Sequence, residues 1–403
     1  MMPFEGAKRK GRGMEAIIVG AGIGGLTTAL FLHQKGISAR LYESARELRE
    51  LGVGINLLPH ATKELERLGL LDQVKANGVL TREVSRFDEH GTFISSDPRG
   101  MFAGYKWPQV STHRGKFQRV LLDSVRARLG VDKIVPDRRF TDFEEKDGKV
   151  TARFVDFSGN THTASGDVLI AADGIHSRMR EIFYPNQGAP SYSGIFLWRG
   201  ISRARPFLTG ASMVAVGRRE QKFIAYPITY PDAQGMVTIN WLAELPRAEM
   251  LQPEDWNRKG DLADFYPQFE NWKWNWLDAA SLMRHADGIY EFPMVDRDPI
   301  PKWSFGRATL LGDAAHAMYP VGSNGSSQAI LDGAAIAEAL AANKDPIAGL
   351  AAYEAERLPA TTKTVQAHRE RAVENATDRD QIEANTRKFQ ETVGFDVESV
   401  NRQ

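Results

Sequence analysis

A glycine-rich turn, Gly20-Ala21-Gly22-Ile23-Gly24-Gly25, constrains the fold of this chain more than any other feature of the sequence. The residues before it, Glu15–Val19, are largely apolar and β-branched, and the helical pattern after it ends near Gly36. A second strand pattern, Ala39–Tyr42, then closes at Glu43. A strand, a glycine turn, a helix and a strand in this order predict the opening of a doubly wound α/β domain.

Each glycine of the Gly20-x-Gly22-x-x-Gly25 pattern has a physical reason to lack a side chain. Gly20 permits the tight turn, Gly22 lets the backbone approach a pyrophosphate, and Gly25 lets the helix pack closely on the sheet. The helix N-terminus adds N–H donors and a positive dipole. Glu43 stands roughly 20 residues on, where a carboxylate accepts hydrogen bonds from an adenosine ribose. The pattern predicts a dinucleotide site without separating FAD from NAD.

A second glycine-rich pattern near the end of the chain favours a flavin. Gly312-Asp313-Ala314-Ala315-His316 follows a predicted strand, and Pro320 and Gly322-Ser323-Asn324-Gly325 lead into a predicted helix. Asp313 could accept hydrogen bonds from ribityl hydroxyls, and the helix N-terminus could direct N–H groups at the N1/C2=O edge of a flavin. The alternative is a strand–turn–helix with Asp313 as a helix cap.

A third pattern, Asp173-Gly174-Ile175-His176-Ser177, follows the apolar run Asp167–Ala172. An Asp-Gly pair at a strand end is often only a turn. His176 taken alone is more typical of a solvated loop than of a catalyst.

Two local elements are also predicted between the first and third patterns. Residues Ala61–Leu71 have the apolar spacing of a short amphipathic helix. Val150–Phe157 alternates, Ser158-Gly159-Asn160 is typical of a turn, and Thr161–Ala164 returns, which predicts a hairpin.

Composition excludes several classes of protein. The chain has 403 residues, no cysteine, and equal numbers of basic and acidic residues, 51 each. Disulfide scaffolds, thiolate metal sites and cysteine nucleophiles are therefore excluded, and no metal site is predicted. Balanced charge gives no reason to expect a nucleic-acid partner. No membrane span is expected, and the first thirteen residues are basic without the apolar segment of a signal peptide, so the expected location is cytoplasmic.

The section from Ser191 to Phe292 differs from the rest of the chain. Its alternating stretches, Phe223–Ile228 and Met236–Ala243, predict an antiparallel sheet, and it contains six of the eight tryptophans. Such aromatic density fits either a packed sheet–helix layer, which is the more common case, or a pocket for a flat ligand. We predict a discontinuous arrangement: FAD-binding parts at 14–80, 111–190 and 293–342, substrate-domain parts at 81–110 and 191–292, and a C-terminal helical region at 343–403.

The three patterns, in this order and spacing, resemble those of the single-component FAD-dependent aromatic hydroxylases, a family that includes para-hydroxybenzoate, salicylate and 3-hydroxybenzoate hydroxylases. The likeness spans about residues 15–375. Further stretches resemble a subgroup that acts on phenazine carboxylates: Leu51–Asn56, His113–Gly115, Trp198–Gly200, Met294–Pro299 and Asn324–Gly333. The resemblance implies a Rossmann-like α/β FAD-binding domain, an inserted antiparallel-sheet substrate domain and C-terminal helices.

The resemblance also implies roles for individual residues. Glu43 would bind the adenosine ribose, and Arg114 would hold the phosphate or ribityl region of non-covalently bound FAD. Asp313 would hold the ribityl chain, and Ser323 stands where many relatives carry glycine. The remaining implied contacts are Val53 and Gly54 beside the ribityl–isoalloxazine side, the Phe140 backbone beside adenine, and Asp173 with Gly174 beside both FAD and transiently bound NADH or NADPH.

The activity implied by the resemblance is hydroxylation of a small aromatic substrate, a phenazine- or hydroxybenzoate-like carboxylate, with NAD(P)H and O₂ through a flavin C4a-hydroperoxide. Tyr226, Tyr319 and the adjacent Pro320 are candidate pocket residues. Arg199 could pair with a substrate carboxylate, although an exposed strand arginine is the more common case. The alternatives are a flavin oxidase or dehydrogenase, or a flavin-binding module without turnover. Either a monomer or a homodimer is compatible with the sequence.

Overall fold

The computed structural model describes residues 13–50, 52–249, 258–373 and 378–402. The basic residues before position 13, Leu51 and Trp256 lie outside the described residues. Within the described ranges, no helix combines the length and the apolar character needed to cross a membrane.

Strands and helices alternate in the first part of the chain, and helices alone form its end. The strands are β1 (Glu15–Val19), β2 (Ser38–Tyr42), β3 (Gly54–Leu57), β4 (Gly78–Leu80), β5 (Glu83–Phe87), β6 (Phe93–Pro98), β7 (Val110–His113), β8 (Ile134–Val135), β9 (Arg139–Lys146), β10 (Lys149–Val155), β11 (Thr161–Gly166), β12 (Val168–Ala171), β13 (Ser191–Ala204), β14 (Ser212–Arg218), β15 (Gln221–Pro227), β16 (Val237–Pro246), β17 (Ala286–Asp296) and β18 (Ala308–Leu310). The helices are α1 (Ile23–Gln34), α2 (Pro59–Arg67), α3 (Leu71–Ala76), α4 (Arg114–Leu129), α5 (Arg178–Phe183), α6 (Tyr266–Phe269), α7 (Ala279–Arg284), α8 (Asp313–His316), α9 (Gly325–Ala342), α10 (Pro346–Ala372), α11 (Arg379–Val393) and α12 (Val397–Arg402).

A five-stranded parallel sheet carries the glycine-rich turns. Its strand order is β18-β12-β1-β2-β8, with β1 between β12 and β2. All four residues of β12 are buried, as expected of a parallel sheet covered on both faces. Gly20, Asp173 and Gly312 follow the carboxyl ends of β1, β12 and β18 within two residues, so the three patterns meet at one edge of the sheet.

A seven-stranded sheet, in the order β17-β13-β16-β15-β14-β5-β6, forms the second layer. Its pairs are antiparallel except that of β14 with β5, which is parallel and joins an earlier part of the chain to this sheet. Successive side chains of a strand point to opposite faces. One face carries buried aromatic side chains, including Trp198, Trp241 and Phe223, in a single hydrophobic cluster. This cluster confirms the packing interpretation of the tryptophan-rich section.

Of the two predicted local elements, one is confirmed and the other is wrong in extent. The predicted hairpin is present as β10 and β11, with β9 completing a three-stranded sheet. The single helix predicted over Ala61–Leu71 is instead α2 followed by α3. Gly69 separates them with a φ of +68°, a left-handed conformation that ends α2 and that glycine adopts without a steric penalty.

Candidate cofactor and substrate site

The turn after β1 leaves no room for side chains at two of its three glycines. Gly20 has a φ of +98°, and a Cβ there would lie 2.4 Å from the carbonyl oxygen of Ala172. A Cβ on Gly25 would lie 2.0 Å from the Gly20 oxygen and 3.4 Å from Ile18 of β1. At Gly22 a Cβ would meet no atom within 4 Å. The turn therefore packs tightly on the sheet and presents bare backbone at Gly22.

A cavity of about 1420 Å³ extends from this turn to the seven-stranded sheet. Eleven Lys and Arg residues line it against six Asp and Glu residues, in a chain whose net charge is zero. A concave surface with this excess of positive charge attracts anionic ligands. Most predicted site residues line it, namely Gly20, Gly22, Glu43, Val53, Gly54, Arg114, Phe140, Asp173, Gly174, Tyr226, Asp313, Pro320, Gly322, Asn324 and Gly325.

Two predicted site residues are absent from the described lining of this cavity. Gly25 lies beneath the turn, in the packing position described above. Tyr319 is buried in a small cluster with Leu197, Phe292 and Met294. Its carbonyl oxygen accepts a hydrogen bond from Nδ1 of His368 at 2.9 Å when that nitrogen carries the proton. The structure therefore places Tyr319 in packing behind the cavity wall.

Glu43 is held against the glycine turn. Its Oε2 accepts from the Ala21 N–H at 2.8 Å, and its Oε1 accepts from the Ala45 N–H at 2.8 Å and the Ser44 hydroxyl at 3.0 Å. Gln118 of α4 donates to the Ala21 carbonyl at 2.9 Å. A carboxylate offers about four lone-pair positions, so Glu43 fixes the turn and retains capacity for a further donor.

Asp173 presents an unused acceptor. Its Oδ2 accepts from the Arg178 N–H at 2.9 Å, whereas its buried Oδ1 has no hydrogen-bond partner within the described part of the chain. Burial raises the pKa of Asp173 to about 6, although hydrogen bonds from Ser177 and the following backbone oppose the shift. A buried acceptor of this kind fits a ligand hydroxyl.

Asp313 and Arg114 line the same cavity and interact electrostatically. The Asp313 side chain is exposed to the cavity. Desolvation by the surrounding protein raises its pKa, and the nearby His316 and Arg114 oppose this shift. The Arg114 N–H donates to the Val53 carbonyl at 2.9 Å, which holds the Val53–Gly54 segment beside the arginine. A carboxylate and a guanidinium in this position fit the hydroxyls and phosphates of a flavin nucleotide.

The Gly54 backbone joins the cofactor region to the seven-stranded sheet. Its N–H donates to Oδ1 of Asn240 at 2.6 Å, and its carbonyl accepts from Nη2 of Arg199 at 3.0 Å. A Cβ at Gly54 would lie 2.6 Å from Asn240, so only glycine allows this approach. Ser323, the predicted departure, has a φ of +58° and accepts a 3.4 Å hydrogen bond from Asn56. The chain thus keeps at Ser323 a conformation that glycine adopts more readily.

Arg199 and Tyr226 lie on the cavity face of the sheet. Trp198 and Ala225, their neighbours in sequence, belong to the aromatic cluster on the other face. Arg199 is partly buried, so the exposed-strand alternative is wrong, and its buried Nε has no acceptor among the described residues. Burial raises the pKa of Tyr226 to about 12, although the adjacent Arg199 opposes the shift. At neutral pH Tyr226 is therefore a neutral phenol that can donate a hydrogen bond.

A buried polar network lies beneath the Gly312 turn and was not predicted from the sequence. Asp332 of α9 accepts from the Gly312 N–H at 3.0 Å and from Nε of Arg357 at 2.8 Å, and Nε2 of His316 lies 2.6 Å from it. Arg357 also donates to Gln328 at 2.6 Å. The only sequence signal is a charged residue within the apolar pattern of α9.

Comparison with known proteins identifies the family. A family model described as an FAD binding domain matches residues 13–368. A phenazine 1,6-dicarboxylic acid hydroxylase of Lysobacter antibioticus is 45% identical over 364 residues, which cover 89% of this chain and 89% of the relative. The chain belongs to the FAD-dependent aromatic hydroxylases. The 3-hydroxybenzoate 6-hydroxylase 1 of Aquipseudomonas alcaligenes is similar to this hydroxylase at 30% identity, over 86% of each chain.

Solved structures agree with this assignment. A variant of Klebsiella pneumoniae HpxO, complexed with FAD, has a TM-score of 0.76 and 25% identity over 94% of each chain. The 2,6-dihydroxypyridine-3-hydroxylase of Arthrobacter nicotinovorans, at 19% identity and a TM-score of 0.73, shares the fold. The predicted family, fold class, FAD cofactor and aromatic hydroxylation are confirmed. Enzymes of this family use O₂ and NAD(P)H, and the predicted alternatives are not favoured.

Proposed function

We propose that this hydroxylase acts on an aromatic carboxylate of the phenazine or hydroxybenzoate type, with NADH or NADPH as a transient co-substrate. The observation that carries the proposal is Arg199, a partly buried guanidinium on the cavity wall whose Nε lacks an acceptor among the described residues. A planar guanidinium pairs with a carboxylate through two parallel hydrogen bonds. The Lysobacter and Aquipseudomonas relatives are named for aromatic carboxylates.

The residues around the three turns fit non-covalently bound FAD. Glu43 would hold the adenosine ribose, the Gly20–Gly22 backbone and Arg114 would hold the phosphates, and Asp313 or Asp173 would accept hydrogen bonds from ribityl hydroxyls. The flavin supplies the oxygen chemistry that side chains lack. The Phe140 backbone would hold the adenine, and the backbone of Val53, Gly54, Gly322, Asn324 and Gly325 would hold the flavin ring.

The sheet face then places the substrate ring. Arg199 orients the carboxylate, and the Tyr226 phenol donates a hydrogen bond near the ring from the same face. Ile224 and Leu242 line the cavity beside them and offer an apolar surface that excludes water when a ring is bound. Pro320, which precedes the turn formed by residues 322–325, also lines the cavity. Positioning and the exclusion of water are the contributions of these side chains.

FAD affinity should increase as the pH rises through about 6. Burial favours the protonated form of Asp173, whereas a ribityl hydroxyl would donate to the ionised form. From pH 5 to pH 7 the ionised fraction of a group with a pKa near 6 rises about tenfold, so the Kd for FAD should fall about tenfold. Titration of the apoprotein with FAD, followed by flavin fluorescence, measures this change.

The Asp173→Asn variant is the control for this pH dependence. It keeps the hydrogen bond from the Arg178 N–H and cannot ionise, so its FAD affinity should change little between pH 5 and pH 7. A pH dependence equal to that of the parent protein would assign the effect to another group, with Asp313 the first to test.

The activity is tested by coupling of NAD(P)H consumption to product. An aromatic carboxylate that occupies the cavity should accelerate NAD(P)H oxidation and suppress H₂O₂ release, because the ring displaces water from the reaction space. The Tyr226→Ala variant should open that space and raise H₂O₂ formed per NAD(P)H consumed several-fold, with FAD content unchanged. NAD(P)H oxidation, H₂O₂ and hydroxylated product are measured together.

Tyr230→Ala is the matched control, because Tyr230 is 52% exposed and lies outside the described lining of the cavity. It should stay as coupled as the parent protein. A Tyr226→Ala variant that stays fully coupled would show that Tyr226 does not contribute to the substrate pocket. NAD(P)H oxidation that yields H₂O₂ alone with every aromatic carboxylate would favour a flavin oxidase instead.

A further inference from the structure

A second group of arginines lies at the β6 edge of the seven-stranded sheet. Arg86 belongs to β5, Arg99 directly follows the end of β6, and Arg371 lies in the last turn of α10. All three line the same cavity as Arg199. We name this group the edge arginines. In the order of the sheet, β16, β15, β14 and β5 separate β13, which carries Arg199, from β6, which ends just before Arg99.

The carboxylate nearest to Arg99 is already engaged by another edge arginine. Nη1 of Arg86 donates to Oδ2 of Asp97. Nη2 of Arg99 lies 3.8 Å from that same oxygen, which is an ion-pair distance beyond hydrogen-bonding range. The Arg99 side chain is only 19% exposed, and its Nε has no acceptor among the residues that the structure describes.

A partly satisfied guanidinium in this setting is energetically unfavourable without an anion. Desolvation of a charge is costly unless the charge is paired and hydrogen-bonded. Burial lowers the pKa of Arg99 to about 10; Arg86 and Arg371 add to the shift, and Asp97 opposes it. The Nε and Nη2 groups of a guanidinium form one edge that matches the two oxygens of a carboxylate. An oxyanion on the cavity side of Arg99 would therefore satisfy this guanidinium.

We propose that Arg99 binds a second carboxylate of the substrate, so that the preferred substrate is an aromatic dicarboxylate held at Arg199 and Arg99. This inference rests on the proposed function, in which Arg199 binds the first carboxylate. Five strand spacings of about 4.8 Å separate the backbones of β13 and β6, the strand that ends just before Arg99, by about 24 Å. Long arginine side chains shorten that span, and the remaining distance favours several fused rings over a single ring. The Lysobacter relative is named for a three-ring dicarboxylate of this kind.

A phosphate group is the other anion that Arg99 could receive, because NADPH carries one that NADH lacks. A substrate carboxylate and the NADPH phosphate would give different kinetic effects when Arg99 is replaced. A substrate site changes the KM for a dicarboxylate and leaves the KM for both nicotinamide nucleotides unchanged. A nucleotide site changes the KM for NADPH alone.

The test compares two probes, phenazine-1,6-dicarboxylate and phenazine-1-carboxylate, on the holoenzyme. In Arg99→Gln the KM for the dicarboxylate should rise about 10- to 100-fold, the range expected for loss of a hydrogen bond to a charged group. The KM for the monocarboxylate should stay within about twofold, because its carboxylate pairs with Arg199. Arg99→Lys keeps the positive charge but lacks the planar guanidinium that can form two parallel hydrogen bonds. Its KM for the dicarboxylate should therefore lie between those of the parent protein and Arg99→Gln.

Arg82→Gln is the matched control for charge. Arg82 is 57% exposed, lies just before β5, and is absent from the described lining of the cavity. It should leave both KM values unchanged. Monocarboxylate turnover and FAD content verify that the Arg99 variants are folded.

Three results would overturn the assignment of Arg99. An equal rise in KM for both probes indicates a structural role, a rise confined to NADPH indicates a phosphate site, and unchanged KM values indicate that Arg99 contacts neither ligand. A parent enzyme that turns over neither probe, or any other aromatic carboxylate, contradicts the proposed function itself. The two failures are therefore distinguishable.

Discussion

Replacing Asp332 with alanine should lower the free energy of unfolding by about 3–5 kcal/mol, the range for breaking a buried ion pair from one side. The Asp332 side chain is 0% exposed and accepts from Arg357 and the Gly312 N–H. Removing it leaves the Arg357 guanidinium buried with an unsatisfied Nε and removes the acceptor of Gly312. Urea unfolding of the FAD-loaded protein measures the difference.

The same contacts give a pH signature. Burial opposes ionisation of Asp332, but its electrostatic and hydrogen-bonding interactions with His316 and Arg357 outweigh burial and lower its pKa to about 2. A carboxyl group in an unfolded chain has a pKa of about 4. Because folding lowers the pKa, the ionised group contributes stability that is fully present above about pH 4. That contribution is lost as the pH falls toward 2. The parent protein should therefore lose more stability than Asp332→Ala between pH 4 and pH 2.

Asp72→Ala is the matched control for Asp332→Ala. Asp72 is 95% exposed and pairs with Lys75 one helical turn away. Surface pairs of this kind contribute about 0–1 kcal/mol, so the control should unfold at nearly the urea concentration of the parent protein. If Asp332→Ala were as stable as this control, the network would be dispensable for folding.

Local chemistry explains which parts of the site could be predicted from the sequence. Gly20, Asp173 and Gly312 each follow an apolar run, and parallel strands bring their carboxyl ends to one edge. Strand assignment alone therefore places these three residues together. Alternation along β13 and β15 places Arg199 and Tyr226 opposite the aromatic cluster, although the sequence does not indicate which face is the cavity.

Contacts between distant segments explain what was missed. Asp332 meets Gly312 and Arg357 only because α9 and α10 pack beneath the turn, and the sequence pattern of neither helix specifies that pairing. Arg99 stands next to the cavity because β14 pairs in parallel with β5, a crossover that the expectation of an antiparallel sheet did not include. The sequence places Tyr319 beside Pro320 and so suggests a pocket residue, yet the structure buries its ring among Leu197, Phe292 and Met294.

Replacing Arg199 with methionine should raise the KM for an aromatic carboxylate about 30-fold or more, because losing one partner of a buried charge pair costs about 2–5 kcal/mol. Methionine keeps much of the length and apolar stem of the side chain, so the cavity wall should retain its shape. The rise in KM should depend on the charge of the substrate, so the KM for the matching neutral carboxamide should change far less. Steady-state kinetics with the acid and its amide provide this comparison.

Arg203→Met tests whether the effect belongs to the cavity. Arg203 lies on the same strand, four residues further along, with 54% of its side chain exposed and an ion pair to Asp232. It is absent from the described lining of the cavity, so its replacement should leave both KM values near those of the parent protein. Arg199 also donates to the Gly54 carbonyl, so FAD content must be measured in each variant. An equal rise in KM for the acid and the amide would mean that Arg199 supports the Gly54 backbone and that another cation binds the substrate carboxylate.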